Sequence, residues 1–99
     1  MSRDAKKGAP ARRVVAVFRG TVQGVGFRFT TRSVARGFAV TGTVRNRVDG
    51  SVEVVAEGAE EDLRAFLAAV EAERRGDIRE RTEHWGTAAG EFWDFRIVL

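Results

Sequence analysis

The sequence predicts an α+β fold of the ferredoxin-like type, a split βαβ sandwich in which two helices cover one face of a mainly antiparallel sheet. Two observations predict this fold. The apolar pattern switches between strand and helix periods in the order β, α, β, β, α, β, and one further strand ends the chain. The length of 99 residues allows one hydrophobic core, and no linker or internal repeat divides it. We therefore expect one domain over residues 13–99.

The first half of that domain is predicted as a strand, a loop and a helix. Residues 12–19 contain the continuous apolar run VVAVF, which is typical of a central strand. Residues 20–26 hold three glycines, too many for a regular element, and we interpret this segment as a loop. Apolar residues then recur at helical spacing from Phe27 to Phe38, and Gly37 is the expected end of this helix.

A β-hairpin is predicted next, with strands over residues 41–48 and 51–57. A two-residue loop would scatter the valines over both faces of the hairpin. A three-residue loop with Gly50 in the left-handed region instead gathers the apolar side chains on one face: Val44, Val52, Val54 and Ala56. We prefer this register. It pairs Asn46 with Val52, so that the Asn46 side chain faces the core.

The second helix is the clearest element of the pattern. Its first turn carries three acidic residues, and Arg74 and Arg75 precede Gly76 at its end, as the helix dipole favours. Its apolar stripe consists of Leu63, Phe66, Leu67 and Val70. Residues 78–85 alternate weakly as a strand, with His84 expected at the surface. A last strand is predicted from strong alternation at Trp93, Phe95, Ile97 and Leu99.

The composition excludes several chemistries. The chain has no cysteine, so disulfides, thiolate metal sites and cysteine nucleophiles are excluded, and its single histidine excludes a histidine-based zinc cluster. The lack of cysteine also fits a reducing compartment. Residues 1–7 lack the apolar stretch of a signal peptide, and no apolar run is long enough to span a bilayer. We therefore expect a cytoplasmic protein without a membrane partner.

The net charge of +3 is unevenly distributed along the chain. Residues 1–13 carry five basic residues and one acid, and residues 14–50 carry six arginines and one acid. Residues 51–99 carry six arginines and twelve acids. We expect residues 1–12 to form a disordered basic tail. The positive first half of the domain suits a small anion as well as it suits a polyanion.

The loop of residues 20–26 is the first candidate site. It joins a strand end to a helix start, where backbone N–H groups and the positive end of the helix can bind an anion. Its glycines match neither common nucleotide-binding signature, so their spacing fits a plain tight loop equally well. Arg28 favours the anion site, because a positive charge in the first helical turn is unfavourable unless an anion offsets it. The alternative is a solvated arginine on a polar helix face.

Asn46 is the second candidate, since it is a polar residue on an otherwise apolar strand face. Its amide either ties down a neighbouring loop, which is the commoner role, or orients a water or a substrate oxygen. In the predicted topology the first two strands run in the same direction. The glycine loop and Asn46 are therefore expected at the same edge of the sheet.

These residues carry a resemblance to a known family. The strings GTVQGVGFR (residues 20–28), GTVRN (42–46) and DGSVE (49–53) resemble the acylphosphatase family, and the likeness covers about residues 14–99. Members of that family are small ferredoxin-like enzymes that hydrolyse carboxyl-phosphate anhydrides without a metal or a cofactor. The resemblance implies two catalytic residues: Arg28, which clamps the phosphoryl group, and Asn46, which orients the attacking water. It implies that the phosphoryl group also binds to backbone amides of Gln23, Gly24, Val25, Gly26 and Phe27.

Two other functions fit the same fold. A nucleic-acid-binding domain would stack bases on aromatic residues of its central strands, but residues 51–57 contain no aromatic residue and two glutamates. A non-catalytic anion-binding module would share the glycine loop, and the presence of both Arg28 and Asn46 favours turnover over binding alone. We therefore expect a monomeric enzyme that takes a small acyl phosphate, with no nucleic-acid partner.

Overall fold

A computed structural model describes residues 10–99, which form one five-stranded sheet and two helices. The elements are β1 (Arg12–Gly20), α1 (Phe27–Ala35), β2 (Val40–Asn46), β3 (Val52–Gly58), α2 (Glu60–Glu73), β4 (Ile78–Thr87) and β5 (Phe95–Ile97). The strand order is β4-β1-β3-β2-β5, antiparallel except for the parallel pair of β2 and β5. This arrangement confirms the predicted fold. Of the expected tail, residues 1–9 lie outside the described residues, and Arg12 already opens β1.

The core lies between one face of the three central strands and the two helices. The predicted stripe of α2 is buried throughout, and the strands contribute every second residue, as an amphipathic sheet face requires. The side chains of Phe18 in β1 and Phe27 in α1 are both buried, and their ring centroids lie 5.2 Å apart. This contact fixes the first turn of α1 against the end of β1.

The hairpin of β2 and β3 has the predicted register. Val44 lies opposite Val54, and Asn46 lies opposite Val52. The backbone N–H of Arg47 donates to the carbonyl of Ser51 at 2.8 Å, which closes a three-residue loop over residues 48–50. The four apolar residues expected on the core face are fully buried: Val44, Val52, Val54 and Ala56.

Several boundaries differ from the prediction by one or two residues, and the end of the first helix and the last strand are two of them. Helix α1 ends at Ala35, two residues before Gly37. Strand β5 has three residues and, within the described part of the chain, pairs with β2 alone. Phe95 and Ile97 pack against the core, while the flanking Trp93 and Leu99 are 95% and 106% exposed. An edge strand extends only as far as its neighbour pairs with it. The alternation of apolar residues from Trp93 to Leu99 therefore predicted a strand longer than β5. Neither described helix is long and apolar enough to cross a membrane.

Candidate active site

The candidate residues meet at one edge of the sheet. Strands β1 and β2 are both antiparallel to β3, so they run in the same direction and end at the same edge, as predicted. At that edge Val52 lies opposite Phe18 on one side and opposite Asn46 on the other. Residues opposite one another in a sheet project to the same face, so Asn46 lies on the face that α1 and α2 cover. The glycine loop leaves β1 two residues after Phe18.

Two residues of the glycine loop have a backbone conformation that is strained for any residue other than glycine. Gly24 and Gly26 have φ angles of 78° and 83°, in the left-handed region that favours glycine. Gly26 is also the residue that precedes α1, and no side chain among residues 10–99 caps the N-terminus of this helix. The first N–H groups of α1 are therefore left to other partners.

Arg28 is the second residue of α1 and is half-buried. Its side chain makes no ion pair or hydrogen bond with any residue from 10 to 99, and the first turn of α1 contains no acidic residue. It borders a pocket of about 300 Å³ with the glycine loop and the end of β5, lined by Val22, Gly24, Gly26, Phe27, Arg28, Phe29 and Ile97. By contrast, the guanidinium of Arg32 lies over the ring of Phe29, 5.4 Å from its centroid.

The side chain of Gln23 ties the glycine loop to the β2–β3 hairpin. Its Nε2 donates to the carbonyl of Arg47 at 2.7 Å and to the carbonyl of Ser51 at 2.8 Å. Arg47 directly follows Asn46 in the chain, so this amide links the loop to the strand end that carries Asn46. Because both Nε2 hydrogens are used in this way, the donor of Gln23 that remains available to an anion on the loop is its backbone N–H.

Asn46 is half-buried, and its side chain makes no hydrogen bond within the described part of the chain. Its Oδ1 atom is buried without a partner among residues 10–99. A buried carbonyl oxygen without a partner costs free energy, so Asn46 does not serve the commoner purpose of tying down a loop. It borders a second pocket of about 430 Å³, which Leu99 also lines.

The charges at this edge are mainly positive. Arg19 lies 3.2 Å from the Asp49 carboxylate, and Arg47 adds a further positive charge near it. Hydrogen bonds from Ser51, with help from Arg19 and Arg47, hold the pKa of Asp49 well below its usual range. This carboxylate is therefore ionised and already paired. Arg28 remains without a counter-charge among the described residues.

Sequence reasoning missed two residues that contact the loop from behind. Arg74, just after α2, donates through its guanidinium to the carbonyl of Val25, and the carbonyl of Asp77 accepts the N–H of Thr21 at 2.9 Å. The pattern Arg-Arg-Gly at residues 74–76 is also what an ordinary helix end shows. No local signal distinguishes an arginine that reaches a loop 49 residues away.

Fold and site together define a class of protein: a small ferredoxin-like α+β domain whose glycine-rich loop opens onto the first helix and its arginine. A family model for acylphosphatase matches residues 14–97. The acylphosphatase of Paenarthrobacter aurescens is 42% identical over 87 residues, which cover 87% of this chain and 93% of the relative. The acylphosphatase of Salinibacter ruber is 45% identical over 87 residues, covering 87% and 92% of the two chains.

The comparison of folds agrees with these matches. The crystal structure of acylphosphatase from Bacillus subtilis aligns with a TM-score of 0.80 at 30% identity, covering 89% of this chain and 99% of that one. The chain belongs to the acylphosphatase family, a family of hydrolases that act on acyl phosphates. The family and enzyme class predicted from the sequence are therefore confirmed.

Proposed function

We propose that this chain hydrolyses an acyl phosphate to a carboxylate and inorganic phosphate, with Arg28 binding the phosphoryl group and Asn46 orienting the attacking water. The observation that carries the proposal is the half-buried Arg28 in the first turn of α1, without a counter-charge among residues 10–99. A positive side chain at the positive end of a helix is unfavourable unless an anion binds there and offsets the charge of the side chain and that of the helix end. A phosphoryl group supplies that anion.

The phosphoryl group would be bound from two sides. The planar guanidinium of Arg28 can donate two parallel hydrogen bonds to a pair of phosphoryl oxygens. Backbone N–H groups of the loop donate to the remaining oxygens, next to the positive end of α1. The loop residues assigned to this binding are Gln23, Gly24, Val25, Gly26 and Phe27. Two observations support this assignment: Gly24 and Gly26 both line the pocket, and nothing lies within 4 Å of where their Cβ atoms would be, so the loop is open to a ligand.

Asn46 would hold the nucleophilic water at the same edge. Its unpartnered Oδ1 can accept a hydrogen bond from water, which turns a water lone pair towards phosphorus. The distinction between the two residues is chemical. Arg28 contacts charge that is present in substrate and transition state alike, whereas Asn46 contacts a molecule that matters only for the reaction.

The reaction needs little else from the protein. Water oxygen forms a bond to phosphorus, the bond from phosphorus to the carboxyl oxygen breaks, and its electron pair leaves on the carboxylate. The proton lost by water passes to a phosphoryl oxygen, so the products are a carboxylate and monohydrogen or dihydrogen phosphate. A carboxylate is a weak base, so its departure needs no general acid. Phosphoryl transfer asks mainly for positioning and charge stabilisation, which an arginine and a set of amides supply.

The proposal extends to the surroundings of the enzyme. The absence of cysteine supports a cytoplasmic location, and the paired charges on β3 and its lack of aromatic residues support a small-molecule substrate over nucleic acid. We propose that the enzyme works as a monomer, because the described site residues all come from one chain.

The test is hydrolysis of benzoyl phosphate by the purified protein in the presence of EDTA, with Arg28→Ala beside it. We expect metal-independent turnover in the wild type and a loss of about 10³-fold or more in kcat/KM in the variant, since an arginine that stabilises a phosphoryl transition state contributes that much. Arg32→Ala is the matched control, as it removes the same charge one turn along α1. A folded wild-type protein that leaves benzoyl phosphate and acetyl phosphate intact would contradict the proposal.

A further inference from the structure

We propose that Arg74 is a positioning residue that fixes the Val25–Gly26 peptide with its N–H group, rather than its carbonyl, towards the bound phosphoryl group. The inference rests on the proposed function, because it concerns how the glycine loop is held in the form that binds an anion. It assigns a role to a side chain that lies outside the loop and outside the pocket lining.

The guanidinium of Arg74 binds Val25, the second-last residue of the glycine loop. Its Nη2 donates to the carbonyl of Val25 at 2.5 Å and lies 2.9 Å from the carboxylate of Asp77. Its Nη1 lies 3.5 Å from the hydroxyl of Thr30 in α1. The side chain is only 19% exposed, so the guanidinium is held in a definite position between α2, α1 and the loop.

The same turn after α2 holds the beginning of the loop. The carbonyl of Asp77 accepts the N–H of Thr21 at 2.9 Å, and the N–H of Asp77 donates to the carbonyl of Arg74 at 2.9 Å. The contact is close, since a Cβ atom on Gly20 would lie 2.3 Å from the Asp77 carbonyl oxygen. Residues 74–77 therefore contact the loop near both of its ends, at Thr21 and at Val25.

Peptide geometry connects the contact at Val25 to the ligand. In a trans peptide the carbonyl of Val25 and the N–H of Gly26 point in opposite directions. The pocket is lined by Gly24, Gly26 and Arg28 but not by Val25 or Arg74. The carbonyl that Arg74 holds is therefore turned away from the pocket lining, and the N–H of Gly26 is turned towards it.

Without such an anchor the peptide could rotate. Gly26 has a φ of 83° and, as glycine, adopts positive and negative φ at similar cost. A rotated peptide would point a carbonyl dipole at the phosphoryl oxygens, which repels an anion where an N–H would bind it. Arg74 favours the binding orientation before substrate arrives, so its removal lowers the fraction of loops that can bind.

The matched pair of variants is Arg74→Met and Arg75→Met. Both remove one positive charge at neighbouring positions and keep an unbranched apolar stem. Arg75 is exposed and makes no ion pair or hydrogen bond with the described residues, so it reports general electrostatics alone. Arg74→Lys is the conservative variant, because the three donors of an ammonium group share one nitrogen and cannot span Val25, Thr30 and Asp77 as the two terminal guanidinium nitrogens do.

The measurement is a titration of the ¹⁵N-labelled full chain with inorganic phosphate, followed at the Gly26 amide. We expect a downfield shift of the Gly26 proton in the wild type and in Arg75→Met. In Arg74→Met we expect phosphate affinity to fall about tenfold, the effect of one hydrogen bond to a charged group. Arg74→Lys should lie between the two, and the same order should hold for kcat/KM on benzoyl phosphate.

Each outcome decides between the two proposals. If the Gly26 amide shifts alike in the wild type, Arg74→Met and Arg75→Met, the positioning role is wrong and the proposed function stands. If Arg74→Met loses affinity only as far as Arg75→Met does, charge alone explains the effect and the positioning role is again wrong. If the wild-type amides of residues 23–28 do not respond to phosphate, the loop is not the anion site, and both proposals fail. If Arg74→Met does not keep the wild-type amide spectrum, Arg74→Lys decides by the same criteria.

Discussion

Within the described part of the chain, polar side chains lack partners at one end of the central sheet and are fully paired at the other. At the edge where β1 and β2 end, Arg28 has no counter-charge among the described residues and the Oδ1 of Asn46 has no partner there. At the opposite edge, the carboxylate of Glu57 is 6% exposed and fully occupied. It accepts hydrogen bonds from Arg13 at 2.8 Å and from the N–H groups of Ala89 and Gly90 at 2.8 and 2.9 Å.

The difference distinguishes a group that stabilises the fold from the two groups to which we assign the binding of the phosphoryl group and of water. Burial raises the pKa of Glu57, but the two N–H groups and Arg13 outweigh it, so the pKa lies below the ordinary value. The N–H groups of Ala89 and Gly90 anchor the connection between β4 and β5 to Glu57 in β3, and Arg13 pairs with the same carboxylate from β1. A polar group without a partner instead costs stability, and proteins retain it where activity requires it. Substitutions at the two edges should therefore change different properties.

After the loss expected for Arg28→Ala, the largest effect in this comparison is that of Asn46→Ala on turnover. We expect kcat for benzoyl phosphate to fall about 100-fold, the magnitude typical of losing one positioned polar group at a reacting centre. The melting temperature should not fall, since the change removes an unsatisfied oxygen rather than a hydrogen bond. Arg45→Ala is the control, because Arg45 projects to the other face and pairs with Glu53 at 2.8 Å. If Asn46→Ala keeps the wild-type kcat, Asn46 has no part in the mechanism.

Gln23→Ala tests the link between loop and hairpin and should affect both properties. It removes two hydrogen bonds to the carbonyls of Arg47 and Ser51. We expect a stability loss of about 1–2 kcal/mol and a fall in kcat/KM of about tenfold, because the loop and Asn46 lose their shared anchor. Chemical denaturation and steady-state kinetics on the same preparation measure the two effects. Loss of stability with unchanged kinetics would mean that the loop holds its form without Gln23.

Glu57→Gln is the reverse case, with an effect on stability alone. The variant keeps the shape but loses the charge that faces Arg13 and two N–H groups. We expect a loss of about 1–3 kcal/mol at neutral pH and a kcat within about twofold of the wild type. Thermal unfolding with a parallel activity assay checks both values. If Glu57→Gln instead lowers kcat strongly and leaves the melting temperature unchanged, the two edges do not differ in the way proposed.

The pH dependence of stability sharpens the same comparison. A carboxylate whose folded pKa is lowered contributes stability above its unfolded pKa and loses it as the pH falls through the folded value. The pKa of Glu57 lies below 4.5, so wild-type stability should fall as the pH is lowered from about 5. The slope should be smaller in Glu57→Gln, which has no carboxyl group to protonate. Parallel curves for the two proteins between pH 5 and 3 would show that Glu57 does not carry this dependence.

The sequence predicted what local patterns encode. The alternation of valines and the position of Gly50 fixed the register of β2 and β3, and the register put Asn46 on the core face. The strand order then brought Asn46 and the glycine loop to one edge. These steps depend on the spacing of apolar residues, which recurs every two residues in strands and every 3.6 residues in helices and can be read from the sequence. The roles of Arg28, Asn46 and the loop amides stay predictions, which the variants above test.

Other features depend on contacts between distant residues and could not be predicted. Arg74 reaches Val25, and Glu57 binds the N–H groups of residues 89 and 90, yet no periodicity marks either side chain for that partner. The length of β5 was also overstated, because alternation at Trp93 and Leu99 says nothing about whether a neighbouring strand extends far enough to cover them. Tertiary coverage, rather than pattern, decides which apolar residues are buried at a sheet edge.

The most direct test of the account is a calorimetric titration of inorganic phosphate into the wild type, Arg28→Ala and Asn46→Ala. We predict that Arg28→Ala no longer binds phosphate measurably, because the variant lacks the charge that binds the anion. We predict that Asn46→Ala binds phosphate within about threefold of the wild type, because Asn46 acts on water alone. Equal loss of phosphate binding in the two variants, or full binding in Arg28→Ala, would contradict the division of roles between these residues.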